Sequence, residues 1–415
     1  MLKRVRATKD LYLFWLRQRW LYRLSLATFL LGLVGAWVDP PHTAVGFGLA
    51  GVGIALTVLG LVGEGRGWLL GIRRYYVKPF VTPSQLDALR PPPGHPGFQV
   101  RRTGDTEAAL FSPGLNQALR SKPVRLEVRT KRFRSTRPEA AAVTQMLSLL
   151  RAGSRPWNES KVRLCSDLTL PLLSSPSPSV RVQRTDYYSW LTTSLLSLQQ
   201  VREHGNGSPL FDGWQALQLD GAVCSLDEPV FANTIGASVL ALTRDGRLVY
   251  QVQTDHNLVN KSRIVPAASG SMDWNRDLDP ADPTLQGLVV RGAARELREE
   301  CGLPAAAVPH KAFLLTGYAR LLHWGGHPEF FLVAAVDAGF GEVRPVGDER
   351  QFVEEHFPHP VGGRAAEAVA SLDRLLAKRD ASWSIQMDLA VRFLRDSIVA
   401  NPAGWESFVR QGRAP

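Results

Sequence analysis

The stretch Arg295-Glu296-Leu297-Arg298-Glu299-Glu300-Cys301-Gly302-Leu303 decides how this chain is read. Taken as a helix, it sets Glu296, Glu299 and Glu300 at i, i+3 and i+4, on one side. Three carboxylates on one face repel each other. A hard divalent cation removes that repulsion, because Mg2+ takes oxygen ligands and is held by a few carboxylates together with substrate phosphates. Gly302 is placed to end the helix, and Leu297 and Leu303 to pack it onto a neighbour. The plainer alternative is a charged surface helix, in which an Arg295–Glu299 pair contributes only about 0.2–0.5 kcal/mol.

The surroundings suit a helix laid on a sheet. Gly236 to Leu242 is β-rich, Arg244-Asp245-Gly246-Arg247 is a hairpin turn, and Leu248 to Val252 is the returning strand. Lys261 to Val265 leads into Ser269-Gly270-Ser271. Beyond the glutamates, Ala312 to Tyr318 and Phe330 to Val336 read as two more strands joined through Gly325-Gly326. Ala365 to Lys378 and Trp383 to Val399 carry apolar residues at helical spacing.

The nine-residue string resembles the core of the Nudix box, the signature of hydrolases acting on nucleoside diphosphates linked to other groups. The resemblance covers roughly Ala232 to Val346 and implies an α/β fold, the Nudix α/β/α sandwich with a mixed sheet. It implies Glu299 and Glu300 as the main metal-ligand pair, with Glu296 as a further ligand or supporting carboxylate. By the same resemblance Arg295 orients those carboxylates, Gly302 ends the helix, and Mg2+ or Mn2+ assists hydrolysis of a phosphoanhydride in a nucleotide-type ligand.

The match is incomplete. The family pattern opens on a glycine and carries a further glutamate before the arginine; here those places hold Ala281 and Gly287. Ser269-Gly270-Ser271 is read as the glycine turn displaced toward the N-terminus, followed by an acidic insertion with Asp273, Asp277, Asp279 and Asp282. Those aspartates are read as solvated loop acids, one of which could supply the missing carboxylate. Thr284 or Asp282 is read as the helix cap. The general base stays open among Glu300, Glu329, Glu349, Glu354 and Glu355. An incomplete box also fits a domain that senses a nucleotide without cleaving it, there controlling a two-helix membrane effector, or a scaffold that has lost its ligand.

With 415 residues and a net charge of +11 the chain suits anionic partners. Nothing in it resembles a nucleic-acid-binding motif, so no nucleic acid is expected. Cys165, Cys224 and Cys301 are far apart, which implies neither a disulfide framework nor a metal spacing. Two apolar runs, residues 24–38 and 43–62, flanked by basic segments and joined by Asp39-Pro40-Pro41-His42, read as a two-helix transmembrane hairpin. The positive-inside rule then expects a multi-pass location at a cell membrane, with the bilayer as partner and both ends cytoplasmic. Small residues in those runs suit close helix contacts, within the hairpin or between copies in a homo-oligomer.

The expected organisation is a basic leader and hairpin (1–80), an accessory α+β region (81–229), a Nudix-like domain (230–346) and a C-terminal helical extension (347–415). Within the accessory region, Pro91 to Pro96 reads as a linker and Val124 to Val128 as a strand. The basic run from Arg129 to Arg137 reads as a solvated face, and Tyr187 to Leu196 as a helix with an aromatic patch.

Overall fold

The computed structural model describes residues 9–11, 13, 74–92, 97–153, 156–205 and 207–412. They fall into two compact units. One holds the described residues up to Lys78 with Arg137–Asn158 and Gln200–Phe211, and its elements are helix Glu139–Arg151 and a three-stranded sheet centred on Gln199–Glu203. The other, Pro79–Thr136, Glu159–Gln199 and Asp212–Pro415, carries the glutamate string.

In chain order the second unit's main elements are β1 (Gln99–Thr103), β2 (Glu107–Phe111), α1 (Pro113–Ser121), β3 (Arg125–Arg129), β4 (Ser160–Leu164) and β5 (Ser179–Asp186). There follow β6 (Gly236–Thr243), β7 (Arg247–Gln253), β8 (Ile264–Pro266), β9 (Ala268–Ser271) and α2 (Leu285–Glu300). The last are β10 (Phe313–Leu321), β11 (His327–Val336), β12 (Val353–Pro360), α3 (Ala365–Ala377), α4 (Ile385–Ala400) and α5 (Pro402–Gly412).

A nine-stranded mixed sheet runs in the order β8-β7-β6-β11-β10-β2-β1, with β9 also on β6 and β12 also on β7. β6 and β11 are parallel and lie side by side at its centre. Strand alternation sends Ala237, Val239 and Ala241 toward α2, where they join Leu285, Leu288, Val289, Ala293 and Leu297 in one core. Leu240 and Leu242 point the other way, with Phe331 and Val333, into a second core built on α3, α4 and α5. α2 therefore covers one face of the sheet and the C-terminal helices cover the other.

α2 is amphipathic, with its apolar positions at helical spacing, and Thr284 caps it by accepting a 3.0 Å hydrogen bond from the Gly287 N–H. Its start is tied to β3 and the chain before it. Leu285 N donates to Val124 O at 2.7 Å, and Leu126 N donates to Pro283 O at 2.8 Å. The sheet likewise draws strands from either side of residue 229, since the β1–β2 hairpin pairs with β10.

One part of the expected architecture is corrected. The fold is mixed α/β with several sheets, and no helix among the described residues is long and apolar enough to cross a membrane. The physical reason lies in the helices themselves: the longest, α2 and α4, have 16 residues each and charged residues throughout, against the roughly 20 apolar residues a span needs. The transmembrane hairpin as part of the fold class, and with it the multi-pass membrane location, is therefore not supported by the described residues. Residues 24–38 and 43–62, and the small-residue faces read there as oligomer contacts, lie outside the described residues.

Two smaller expectations also change. Ser269-Gly270-Ser271 is not a turn but part of β9, paired antiparallel with β6. The aromatic segment from Tyr187 is a short helix, Tyr187–Leu191, followed by a separate 3-10 turn, Ser194–Leu196, rather than one helix.

Candidate functional site

The glutamates stand on the last turns of α2, above the strand that was read as a glycine turn. Ala237 pairs with Gly270, so position 270 faces α2, and a Cβ there would lie 1.9 Å from Glu296 Oε1. Gly270 is thus required by the close approach of a carboxylate to backbone. Four residues on, Glu300 is buried: Oε1 accepts from the Ser269 N–H at 2.9 Å, and Oε2 from Gln251 Nε2 at 2.6 Å. Glu299 departs from this pair. Its side chain is about half exposed and meets Arg276 and Arg295, each at 3.5 Å.

Arg295 orders the cluster from beneath. It holds Asp277 with two nitrogens, at 3.0 and 3.3 Å, donates to Ser271 O at 3.1 Å and reaches Glu296 at 2.8 Å. Asp277 in turn accepts from the Asp273 N–H at 2.7 Å. Asp273 is also buried, 2.7 Å from Lys161 Nζ on β4, while Arg276 spans Asp273, Glu159 and Glu299. Of the acidic insertion, Asp273 and Asp277 are therefore buried ion-pair partners and not solvated loop acids. Asp282 is about half exposed and bonds Thr284 and Arg291.

These placements carry an electrostatic cost. Burial pushes the Glu296 carboxyl up to about 7, against the pull of Arg295 and Lys161. Burial, reinforced by the Glu296 charge, holds Glu300 well above the ordinary carboxylate range in spite of its bonds to Ser269 and Gln251. Burial also opposes the Arg295 charge, but Glu296 and Asp277 outweigh it and keep the guanidinium protonated. Two carboxylates are thus brought together where neither is easily ionised, a cost that a bound cation would remove.

The donor set fits a hard cation in part. The Glu296 and Glu300 carboxylates reach the adjacent residues Gly270 and Ser269 of β9, and the buried Gln251 Oε1 has no hydrogen-bond partner. Two carboxylates completed by substrate phosphates and water is a usual Mg2+ arrangement. Among the described residues, however, no group of three His, Cys, Asp or Glu side chains is gathered in a form that could hold a metal ion. Glu299 would have to leave its arginines to complete one.

The remaining sequence candidates separate clearly. Gly302, with φ +66°, ends the helix, and a Cβ there would lie 2.4 Å from Arg344 O. Glu349 belongs to the 3-10 turn Gly347–Gln351, which packs near α2, and its charge acts on Glu300. Glu329 lies on the far face of the sheet, accepting from Ser238 Oγ at 2.6 Å and facing His327 Nε2 at 3.2 Å. Glu354 and Glu355 are exposed on β12. Cys301 is buried, its thiol pushed well up by burial, as a packing residue would be. Gln251 and Lys161 escaped the sequence reading and gave no signal in it, and Asp277 was named only as one of four insertion aspartates.

No family model matches the chain. No curated protein matches it either. Among solved structures, it is similar to the crystal structure of DR0079 from Deinococcus radiodurans, at 11% identity over 38% of this chain and 81% of that one, with a TM-score of 0.25. A likeness that slight carries no argument about fold or function.

Proposed function

We propose that the chain is a Nudix-type hydrolase, cleaving a phosphoanhydride in a nucleoside diphosphate linked to another group. The observation that carries this reading is the pairing of Glu296 and Glu300 over Gly270 and Ser269, with both carboxyls raised by burial. When bound, Mg2+ or Mn2+ would neutralise charge on the substrate phosphates and activate a water.

The chain's own residues have distinct parts in this scheme. Glu296 and Glu300 would hold the cation, and Gln251 and the Ser269 N–H fix the Glu300 carboxylate. Arg295, clamped by Asp277, keeps Glu296 aimed at β9. Arg276, about half exposed beside Glu299, is placed to meet a phosphate. Glu349 is the base candidate on the Glu300 side of α2, taking a proton from water at its carboxylate. Glu329, on the opposite face of the sheet, is not used.

A second reading, binding of a nucleotide without cleavage, is favoured by one observation: Gly287 stands where the family carries its upstream glutamate. One experiment separates the two. The full chain is incubated with a panel of nucleoside diphosphate derivatives and Mg2+ or Mn2+, beside Glu300→Gln. Hydrolysis requires metal-dependent turnover of at least one compound, reduced about a hundredfold or more in the variant. Binding with no turnover in the parent selects the second reading, and neither binding nor turnover removes both.

A further inference from the structure

On the opposite face of the sheet from the glutamates, the β1–β2 hairpin, α3 and α4 enclose a cleft of about 610 Å3. Its apolar floor includes Phe111 and Phe393, whose rings meet edge to face at 5.2 Å. Gly317 on β10 makes that floor possible, because a Cβ there would lie 2.4 Å from the Phe393 ring. The volume is that of an ordinary small-molecule site.

The charge beside this floor is unbalanced. Arg101 from β1, Arg392 from α4 and Arg379 after α3 all converge on Asp388, at 2.9, 3.1 and 3.4 Å. Asp388 is wholly buried and is a single carboxylate, so it balances only one of the three. Arg395 pairs with Asp373 and Asp396, which also line the cleft, so four arginines face three carboxylates and one positive charge remains in excess. Arg101 and Arg392 both bind Asp388 through Nε. Within the described residues their Nη1 and Nη2 atoms make no hydrogen bond. Four guanidinium nitrogens, fixed at the root by a buried anchor, are thus free at the edge of an aromatic cleft.

We infer that this cleft binds a phosphate monoester carried on an apolar or aromatic body. The fork of an arginine matches the oxygens of a phosphate, and the surplus positive charge favours an anion. Phe111, Phe393 and Leu376 would take the apolar body. None of these residues belongs to the glutamate face, so the inference stands or falls apart from the hydrolase reading.

The test is calorimetric titration of the full chain in EDTA, so that no cation recruits ligand to Glu296 and Glu300. The probes are phenyl phosphate, AMP, inorganic phosphate and adenosine. Phenyl phosphate and AMP should bind one per chain, more tightly than inorganic phosphate, weakening as salt is raised, and adenosine should not bind. Ala377→Glu puts a carboxylate at the cleft without breaking any ion pair, and should weaken phenyl phosphate binding about tenfold or more. Arg392→Gln should do the same with Asp388 still held by Arg101 and Arg379, while Glu300→Gln should leave binding unchanged. No binding of either ester at millimolar concentration would overturn the inference. So would adenosine binding as well as AMP, binding untouched by Ala377→Glu, or binding lost in Glu300→Gln.

Discussion

Gly270 has the most constrained position in the glutamate cluster, because the Glu296 carboxylate occupies the space of its missing side chain. Gly270→Ala should therefore drive Glu296 off β9 at a cost of about 1–3 kcal/mol and weaken divalent-metal binding together with stability. Thermal unfolding with and without Mn2+ checks this. A variant with the parent's melting temperature and metal response would show that the close contact has no consequence. The sequence made the shared face legible, since i, i+3 and i+4 spacing alone puts Glu296, Glu299 and Glu300 on one side of a helix. It did not show that Glu299 turns to Arg276 while Glu300 turns to Gln251. Those choices depend on partners 23 and 49 residues away, and helical periodicity carries no information about them.

The same division holds for the elements. The β6–β7 hairpin was readable because Asp245-Gly246 supplies a turn that few other residues form, with Gly246 at φ +75°. α2 was readable from Thr284 to Gly302, a cap at one end and a left-handed glycine at the other. β9 was misread because Ser-Gly-Ser has turn composition, and only the carboxylate above it explains a glycine within a strand. Elements also set the pH response. Burial lowers His356 on β12 and His323 after β10 to about 4, so both are neutral in the folded chain at neutral pH. The unfolded chain takes up these protons near 6.5, so the stability they contribute is full above about 6.5 and is lost as pH falls toward 4. For the buried His356 the loss is on the order of 3 kcal/mol. Denaturant unfolding between pH 7 and 4 should show a shallower decline in His356→Gln than in the parent. Parallel declines would refute the assignment.

Across the whole second unit, one sheet joins segments that the sequence appeared to keep apart. β1 and β2 extend the sheet beyond β10, β3 holds the start of α2, and Lys161 on β4 anchors the acidic loop beneath the glutamates. Short strands of mixed composition gave little sign of this, because edge pairing is decided by tertiary register and not by local pattern. The outcome is a mixed sheet with a glutamate helix on one face and an arginine-lined cleft on the other. The central claim is that α2 and β9 together make a cation site. Titration of the full chain with Mn2+, followed by electron paramagnetic resonance, tests it most directly. One Mn2+ should bind per chain in the parent, with at least about tenfold weaker binding in both Glu296→Gln and Glu300→Gln. Absence of bound Mn2+ in the parent, or binding in either variant as tight as in the parent, would contradict it.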